Sequence, residues 1–88
     1  MILVWSEGAW ADYLHWQAND PKLVCKINTF LEDIARSPFK GLGKPEPLKE
    51  DRSGFWSRRL SEEHRLVYRI LGKGTDQWIE IAQCRFHY

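Results

Sequence analysis

The sequence has two cysteines, one methionine and no long apolar run. Cys25 and Cys84 lack close metal-ligand spacing such as C-x-x-C, which argues against a disulfide framework and a zinc site, and both are expected as buried thiols. No stretch approaches the roughly 20 apolar residues of a membrane span. The opening "MILVWSEGAW" has neither the basic flank nor the length of a secretory signal, so a cytoplasmic protein is expected. There is no internal repeat and no low-complexity segment. Charge of one sign is also missing: the formal net charge is +1. A nucleic-acid partner would therefore have to be met by a local basic patch. Residues 1 to 43 carry four basic and five acidic side chains, residues 44 to 69 seven and five, and residues 70 to 88 two and two. Only the middle is net positive.

What is present is aromatic. With 88 residues, 43% of them hydrophobic and 14% aromatic, the chain has the length and composition of one domain, residues 1–88. A chain this short buries only about 60 to 65% of its unfolded surface, and five tryptophans suit that small core.

"ILVW", residues 2 to 5, reads as a strand buried on both faces. Ser6 then offers an N-cap, and Trp10, Tyr13, Leu14 and Gln17 repeat at helical spacing up to a stop near Asn19. In "NDPKLVCKINTFLEDIARSP", Asp20 caps, Pro21 suits the first helical position, and Leu23, Val24, Ile27, Phe30, Leu31 and Ile34 make one face. Ser37-Pro38 ends this second helix. The two helices form a hairpin with a common apolar side. From Pro38 to Asp51, Gly41, Gly43, Pro45 and Pro47 punctuate a loop long enough to suggest a function. Phe55 to Leu60, Arg65 to Ile70 and Trp78 to Phe86 alternate as strands. The expected fold class is α+β: an N-terminal strand, a helix hairpin, and a mostly antiparallel twisted sheet of about four strands with helices on one face.

Alternation sets Arg65, Val67 and Arg69 opposite Leu66, Tyr68 and Ile70. In the last strand Ile79 and Ile81 share parity with Gln83, Arg85 and His87, while Ala82, Cys84 and Phe86 take the other side. Whether Arg59 and Arg65 share a face depends on the intervening loop, an odd number of residues aligning them. Parity alone does not say whether His87 faces Arg65.

Three features could carry chemistry. Glu46 in "KPEPLK" is held extended by its flanking prolines, with Lys44 and Lys49 nearby. It is either a solvated glutamate in a polyproline-like turn or a preoriented general base with lysines for a phosphate. "GFWSRRLSEEHRLVYR" sets aromatics among Arg58, Arg59, Arg65 and Arg69, which suits single-stranded RNA. It equally describes amphipathic strands whose arginines are solvated or paired with Glu62 and Glu63. His15 and His64 read as packing or surface residues. His87, in the terminal "CRFHY", is either a surface imidazole or a group able to exchange a proton near neutral pH.

Together "VWSEGAWADYLHWQ", "GKPEPLK", "SGFWSRRLSEEHRLVYRI" and "CRFHY" resemble the YoeB toxins of the RelE-like superfamily, over nearly the whole chain. Two departures stand out: "LGKGTDQW" is longer than expected, which would lengthen a hairpin, and Phe86 replaces the usual tyrosine. The resemblance implies a small RelE-like bacterial type II toxin that enters the ribosomal A site, cleaves messenger RNA and is neutralised by a cognate YefM-like antitoxin. Carried over by position, Glu46 would be the general base, His87 the general acid and Arg65 the phosphate-stabilising cation. Lys49, Arg59 and Tyr88 would contact substrate. Expected partners are messenger RNA, the ribosome, the antitoxin, operator DNA only through the antitoxin complex, and a second copy in a homodimer. No metal, cofactor or membrane is implied. The competing readings are a non-catalytic RNA- or ribosome-binding module and a regulatory partner of an antitoxin repressor.

Overall fold

Ser6 and Asp20 each start a helix because each offers a side-chain oxygen to an amide that has no partner within the first turn. In the computed structural model, which describes residues 1–87, Ser6 Oγ accepts the Ala9 N–H at 3.0 Å and opens helix α1, Glu7–Asn19. Asp20 Oδ1 accepts the Leu23 N–H at 3.2 Å and opens helix α2, Pro21–Arg36. Both helices stop where the sequence indicates. Tyr88, and the substrate contact expected of it, lies outside the described residues.

Helix α2 buries the expected face, Leu23, Ile27, Phe30, Leu31 and Ile34, with Val24 half-buried. Helix α1 does not. Its buried residues are Ala9 and Trp16, with Tyr13 packed beside them, while Trp10 and Leu14 are 46% and 44% exposed. Positions 9, 13 and 16 are also at helical spacing, and the small Ala9 permits close approach to the end of the sheet: the Cys84 thiol donates to the Ala9 carbonyl at 3.7 Å. The thiol expectation holds for Cys84, which is buried, and fails for Cys25, which is exposed on the outer side of α2.

Five strands follow the order β1 (Ile2–Trp5), β5 (Trp78–Gln83), β4 (Arg65–Leu71), β3 (Trp56–Arg59), β2 (Glu46–Pro47). The pairing of β1 with β5 is parallel and the rest antiparallel, so the fold is α+β as expected. The fifth strand is the short Glu46–Pro47 pairing inside the long loop. Contrary to expectation, β1 is not buried on both faces. It is an edge strand paired on one side only, with Ile2, Leu3 and Val4 at 70%, 40% and 41% exposure. A continuous apolar run is ambiguous between these situations. The "LGKGTDQW" stretch joins β4 to β5 as a hairpin.

Both helices cover one face of the sheet, where Leu66, Tyr68, Ile79 and Ile81 join the core with Leu60 and Cys84. A bulge decides what the other face holds. Tyr68 pairs with Ile81 but Val67 pairs with Gln83, leaving Ala82 as the extra residue. The expected parity is reversed beyond it: Gln83 leaves the side of Ile79 and Ile81, and Cys84 turns into the core.

Candidate functional site

The face away from the helices is read from the strand register. Glu46 pairs with Ser57, Ser57 with Val67, and Val67 with Gln83, a row across four strands. Arg59 pairs with Arg65, so these two share that face, two residues along their strands from Ser57 and Val67. The connecting residues 60 to 64 are odd in number, which is the arrangement that aligns them. Strands about 4.8 Å apart and a rise of about 3.4 Å per residue put Glu46 about 12 Å from Arg65 between Cα atoms. A group between them would meet an exposed Glu46 and an Arg65 that is only 7% exposed.

Glu46 is exposed and its backbone is fixed from both sides. The Arg59 N–H donates to the Gly43 carbonyl at 2.7 Å, and the Leu48 N–H to the Phe55 carbonyl at 2.9 Å. The approach of this loop to α2 depends on two glycines. A Cβ on Gly41, at φ 119°, would stand 2.2 Å from the Asp33 carboxylate, and one on Gly43, at φ 77°, 2.6 Å from the Phe30 ring.

Arg58 holds the same loop. As immediate neighbours in a strand, Arg58 and Arg59 must face opposite ways, and Arg58 points into the helix side with no exposed surface. Its guanidinium pairs with Asp33 at 2.5 Å. It also donates to the carbonyls of Ser37 (2.7 Å), Lys40 (3.0 Å) and Leu42 (3.1 Å) and to the Tyr68 hydroxyl (3.2 Å). The Leu42 N–H and then the Arg58 guanidinium hold the Asp33 carboxyl below its ordinary value. Burial pushes the Tyr68 phenol up. Arg58 therefore cannot join the surface arginines with which its sequence context grouped it.

Arg69 is committed as well, at 2.9 Å from Glu80 and with its guanidinium 4.7 Å from the Phe55 ring centre. Neither cation uses Glu62 or Glu63. Arg65 has no carboxylate partner among the described residues. Its Nη1 donates to the carbonyls of Ser61 (2.6 Å), Glu62 (3.2 Å) and His64 (3.1 Å), which fixes the guanidinium in place without neutralising it. Arg59 and Lys49 are exposed, Lys49 at the start of a 3₁₀ turn over Glu50–Arg52.

The segment after β5 is tied down at Cys84 and at Phe86. Trp16 Nε1 donates to the Cys84 carbonyl at 2.9 Å, and the Cys84 N–H donates to Asp12 at 3.1 Å. Burial, with the Asp12 charge adding, pushes the Cys84 thiol up to about 12, so it stays protonated and unreactive. Phe86, in the left-handed region at φ 66°, has both main-chain groups engaged: its N–H donates to His64 Nδ1 at 2.8 Å and its carbonyl accepts the Arg65 N–H at 3.0 Å. His87 is thus exposed one residue from a backbone bond to Arg65. A backbone N–H can only donate, so His64 holds Phe86 as the neutral tautomer with Nδ1 unprotonated. Its ring packs against Trp16, centroids 4.7 Å apart.

Glu46, Arg59 and Arg65 therefore share one face, and Phe86, the residue before His87, is bonded to Arg65. Of the residues that position these groups, sequence reasoning passed over Trp16, read His64 as a packing or surface residue and grouped Arg58 with the RNA-facing arginines. Only Arg58 left a usable signal, its adjacency to Arg59 in a strand. The bond between residue 64 and residue 86 depends on register between distant strands, which alternation does not encode.

A family model described as the YoeB-like toxin of bacterial type II toxin-antitoxin systems matches residues 5–88. The chain is similar to Toxin YoeB of Escherichia coli K12, at 57% identity over 88 residues and the full length of both proteins. It superposes on a YoeB/ParE toxin from Agrobacterium tumefaciens with a TM-score of 0.98 and 55% identity, again over both full lengths. A Staphylococcus aureus relative, 44% identical with a TM-score of 0.89, is known in a heterotetrameric YoeB-YefM toxin-antitoxin complex, the match covering 100% of this chain and 98% of that one.

Proposed function

The chain belongs to the YoeB-like toxin family of bacterial type II toxin-antitoxin systems, and from that premise we propose that it is a metal-independent endoribonuclease that cuts messenger RNA in the ribosomal A site and thereby stops translation. The observation that carries this reading is the placement of Glu46, Arg59 and Arg65 on one sheet face, with the Phe86 carbonyl bonded to the Arg65 N–H.

Glu46 takes the proton from a ribose 2′-hydroxyl. The 2′-oxygen attacks the adjacent phosphorus, the P–O5′ bond breaks, and protonated His87 gives its proton to the departing 5′-oxygen. Arg65, unpaired with any carboxylate among the described residues, offsets the charge that builds on the phosphoryl oxygens. Arg59 and Lys49 grip neighbouring phosphates, with Tyr88 as a further substrate contact. The products are a 2′,3′-cyclic phosphate and a 5′-hydroxyl. A strand without the 2′-hydroxyl is left uncut. A YefM-like antitoxin would neutralise the toxin, and a second copy can form a homodimer, by analogy with the YoeB-YefM complex and the YoeB dimer of S. aureus.

The decisive experiment is cleavage of a programmed ribosomal message by the wild-type protein, with both RNA ends mapped. Intact message, or ends carrying a 5′-phosphate, would refute the mechanism. In a ribosome-free assay on RNA, cleavage should survive excess EDTA. Activity that vanishes and returns with magnesium would point to metal catalysis instead.

His64 provides a separate expectation. His64→Leu removes the acceptor that orients Phe86, and a small misplacement of the acid lowers kcat by about tenfold or more. His64→Asn, whose Oδ1 stands close to where Nδ1 stood, should recover most of that loss. Equal kcat for the two variants would remove the orienting role.

A further inference from the structure

One feature of the outer face is not used by the proposed chemistry. Beside the row that begins at Glu46 lies a cavity of about 250 Å³ lined by Arg52, Phe55, Val67, Ala82 and Gln83. Its volume is just under the roughly 300 Å³ at which pockets for whole drug-sized ligands begin, so it suits a single flat group. Val67 is buried without belonging to the helix-side core, which makes it an apolar floor on this face. The Phe55 ring is half-buried and braced by the Arg69 guanidinium. Ala82 is the bulged residue, and the bulge is what turns Gln83 toward the cavity.

The polar end is fixed more tightly than its surface position requires. Arg52 Nη1 donates to Gln83 Oε1 at 3.2 Å, and Gln83 Nε2 donates to the Arg85 carbonyl at 3.1 Å. Because a guanidinium only donates and a carbonyl only accepts, these partners determine which end of the amide is oxygen. Each amide atom retains capacity for one more bond: a lone pair on Oε1 and a proton on Nε2. A donor and an acceptor thus remain side by side on a rigid amide next to an aromatic wall.

We infer that this cavity is a base-specific subsite, in which Phe55 stacks and Gln83 reads an adenine of the RNA strand being cut. Bases of single-stranded RNA are recognised by stacking on aromatic rings and by hydrogen bonds to their exposed edges. Adenine sets its N6 donor beside a ring-nitrogen acceptor on both of its edges, so it meets the Gln83 pair in either orientation. Guanine matches the pair on its Watson–Crick edge only, since its N7 edge offers two acceptors, one of which would face Oε1 with a lone pair. Pyrimidines match on one edge only and give less stacking area. The location fits a nucleotide whose phosphate is held at Arg65, since Val67 is two residues along the same strand, about 7 Å away.

The subsite rests on the nuclease reading for its biological meaning but not for its test. Wild-type protein is titrated with 2′-fluoro RNA hexamers, which lack the attacking hydroxyl and stay intact, in adenine-rich and uracil-rich versions. The adenine hexamer should bind about fivefold or more tightly, the discrimination of one bidentate base contact. Gln83→Leu should cut that preference back to the part that stacking on Phe55 supplies, while keeping residual phosphate binding. Arg52→Met, which leaves Gln83 in place but unbraced, should weaken it, and covers the case in which the leucine variant does not fold. Equal binding of the two hexamers by wild type, or an adenine preference left undiminished by both substitutions, overturns the inference. An adenine preference in a protein that cuts no RNA would instead defeat the nuclease reading and leave the subsite standing.

Discussion

His87→Gln should lower RNA cleavage by about a hundredfold or more, since a positioned general acid contributes about 10² to 10⁴. Glutamine resembles the imidazole in length and polarity but has no proton to give to the leaving oxygen. Because His87 is exposed, the melting temperature should move little, which separates lost chemistry from lost structure. Glu46→Ala should have a loss of similar size, so the magnitude alone does not say which residue is the acid. A substrate in which sulfur replaces the bridging 5′-oxygen makes that distinction. A thiolate departs without protonation, so this RNA should restore cleavage to His87→Gln and not to Glu46→Ala. Restoration of both variants, or of neither, would remove the acid role from His87.

The parts of this molecule that were legible in the sequence are those fixed by local physics. The caps at Ser6 and Asp20, Pro21 in the first turn and the apolar stripe of α2 each depend on residues within a turn or two, and they appear where the sequence places them. The alternation of β4 was equally readable and correctly set Arg65 opposite Leu66. What could not be read involves a neighbour distant in the chain. Helix α1 offers two overlapping stripes, and only docking against the Cys84 segment selects the one through Ala9 and Trp16. The run Ile2 to Trp5 reads as buried until its place at the sheet edge is known. Parity along β5 held until Ala82, where a single bulged residue transferred Gln83 from the helix side to the outer face.

The same limit applies to the candidate site. Glu46, Arg59, Arg65 and His87 were named by resemblance, while the register adds the physical reason for three of them, a shared face. The groups that hold them remained invisible. A sequence lists His64 as one more histidine beside a turn, and only the strand pairing reveals that residues 64 and 65 together grip both main-chain groups of Phe86.

The largest stability effect should come from the arginine that never reaches solvent. Arg58→Met removes the guanidinium that joins Asp33, Tyr68 and the four carbonyls of Ser37, Pro38, Lys40 and Leu42. Deleting one partner of a fully buried ion pair costs about 3 to 5 kcal/mol, and because Asp33 is only half-buried the loss here should lie near the lower end of that range. A domain of this size has only about 4 to 13 kcal/mol in total. The melting temperature should therefore fall by about 12 °C or more. Arg59→Met, one residue away on the outer face, should change stability by about 0.5 kcal/mol or less while weakening RNA cleavage. A small loss for Arg58→Met in urea or thermal unfolding would mean that the loop packs without the ion pair. The pH dependence gives an independent check through Asp33. Its carboxyl is held below the ordinary value of 3.8 in the folded chain, so the stability it contributes is complete above that value and is lost as pH falls through the lower folded-state value. Asp33→Asn has no such proton to take up. The unfolding midpoints of wild type and Asp33→Asn should therefore draw together on acidification below pH 3.8, and a constant gap between them would show that the Leu42 and Arg58 contacts do not stabilise the charged carboxylate.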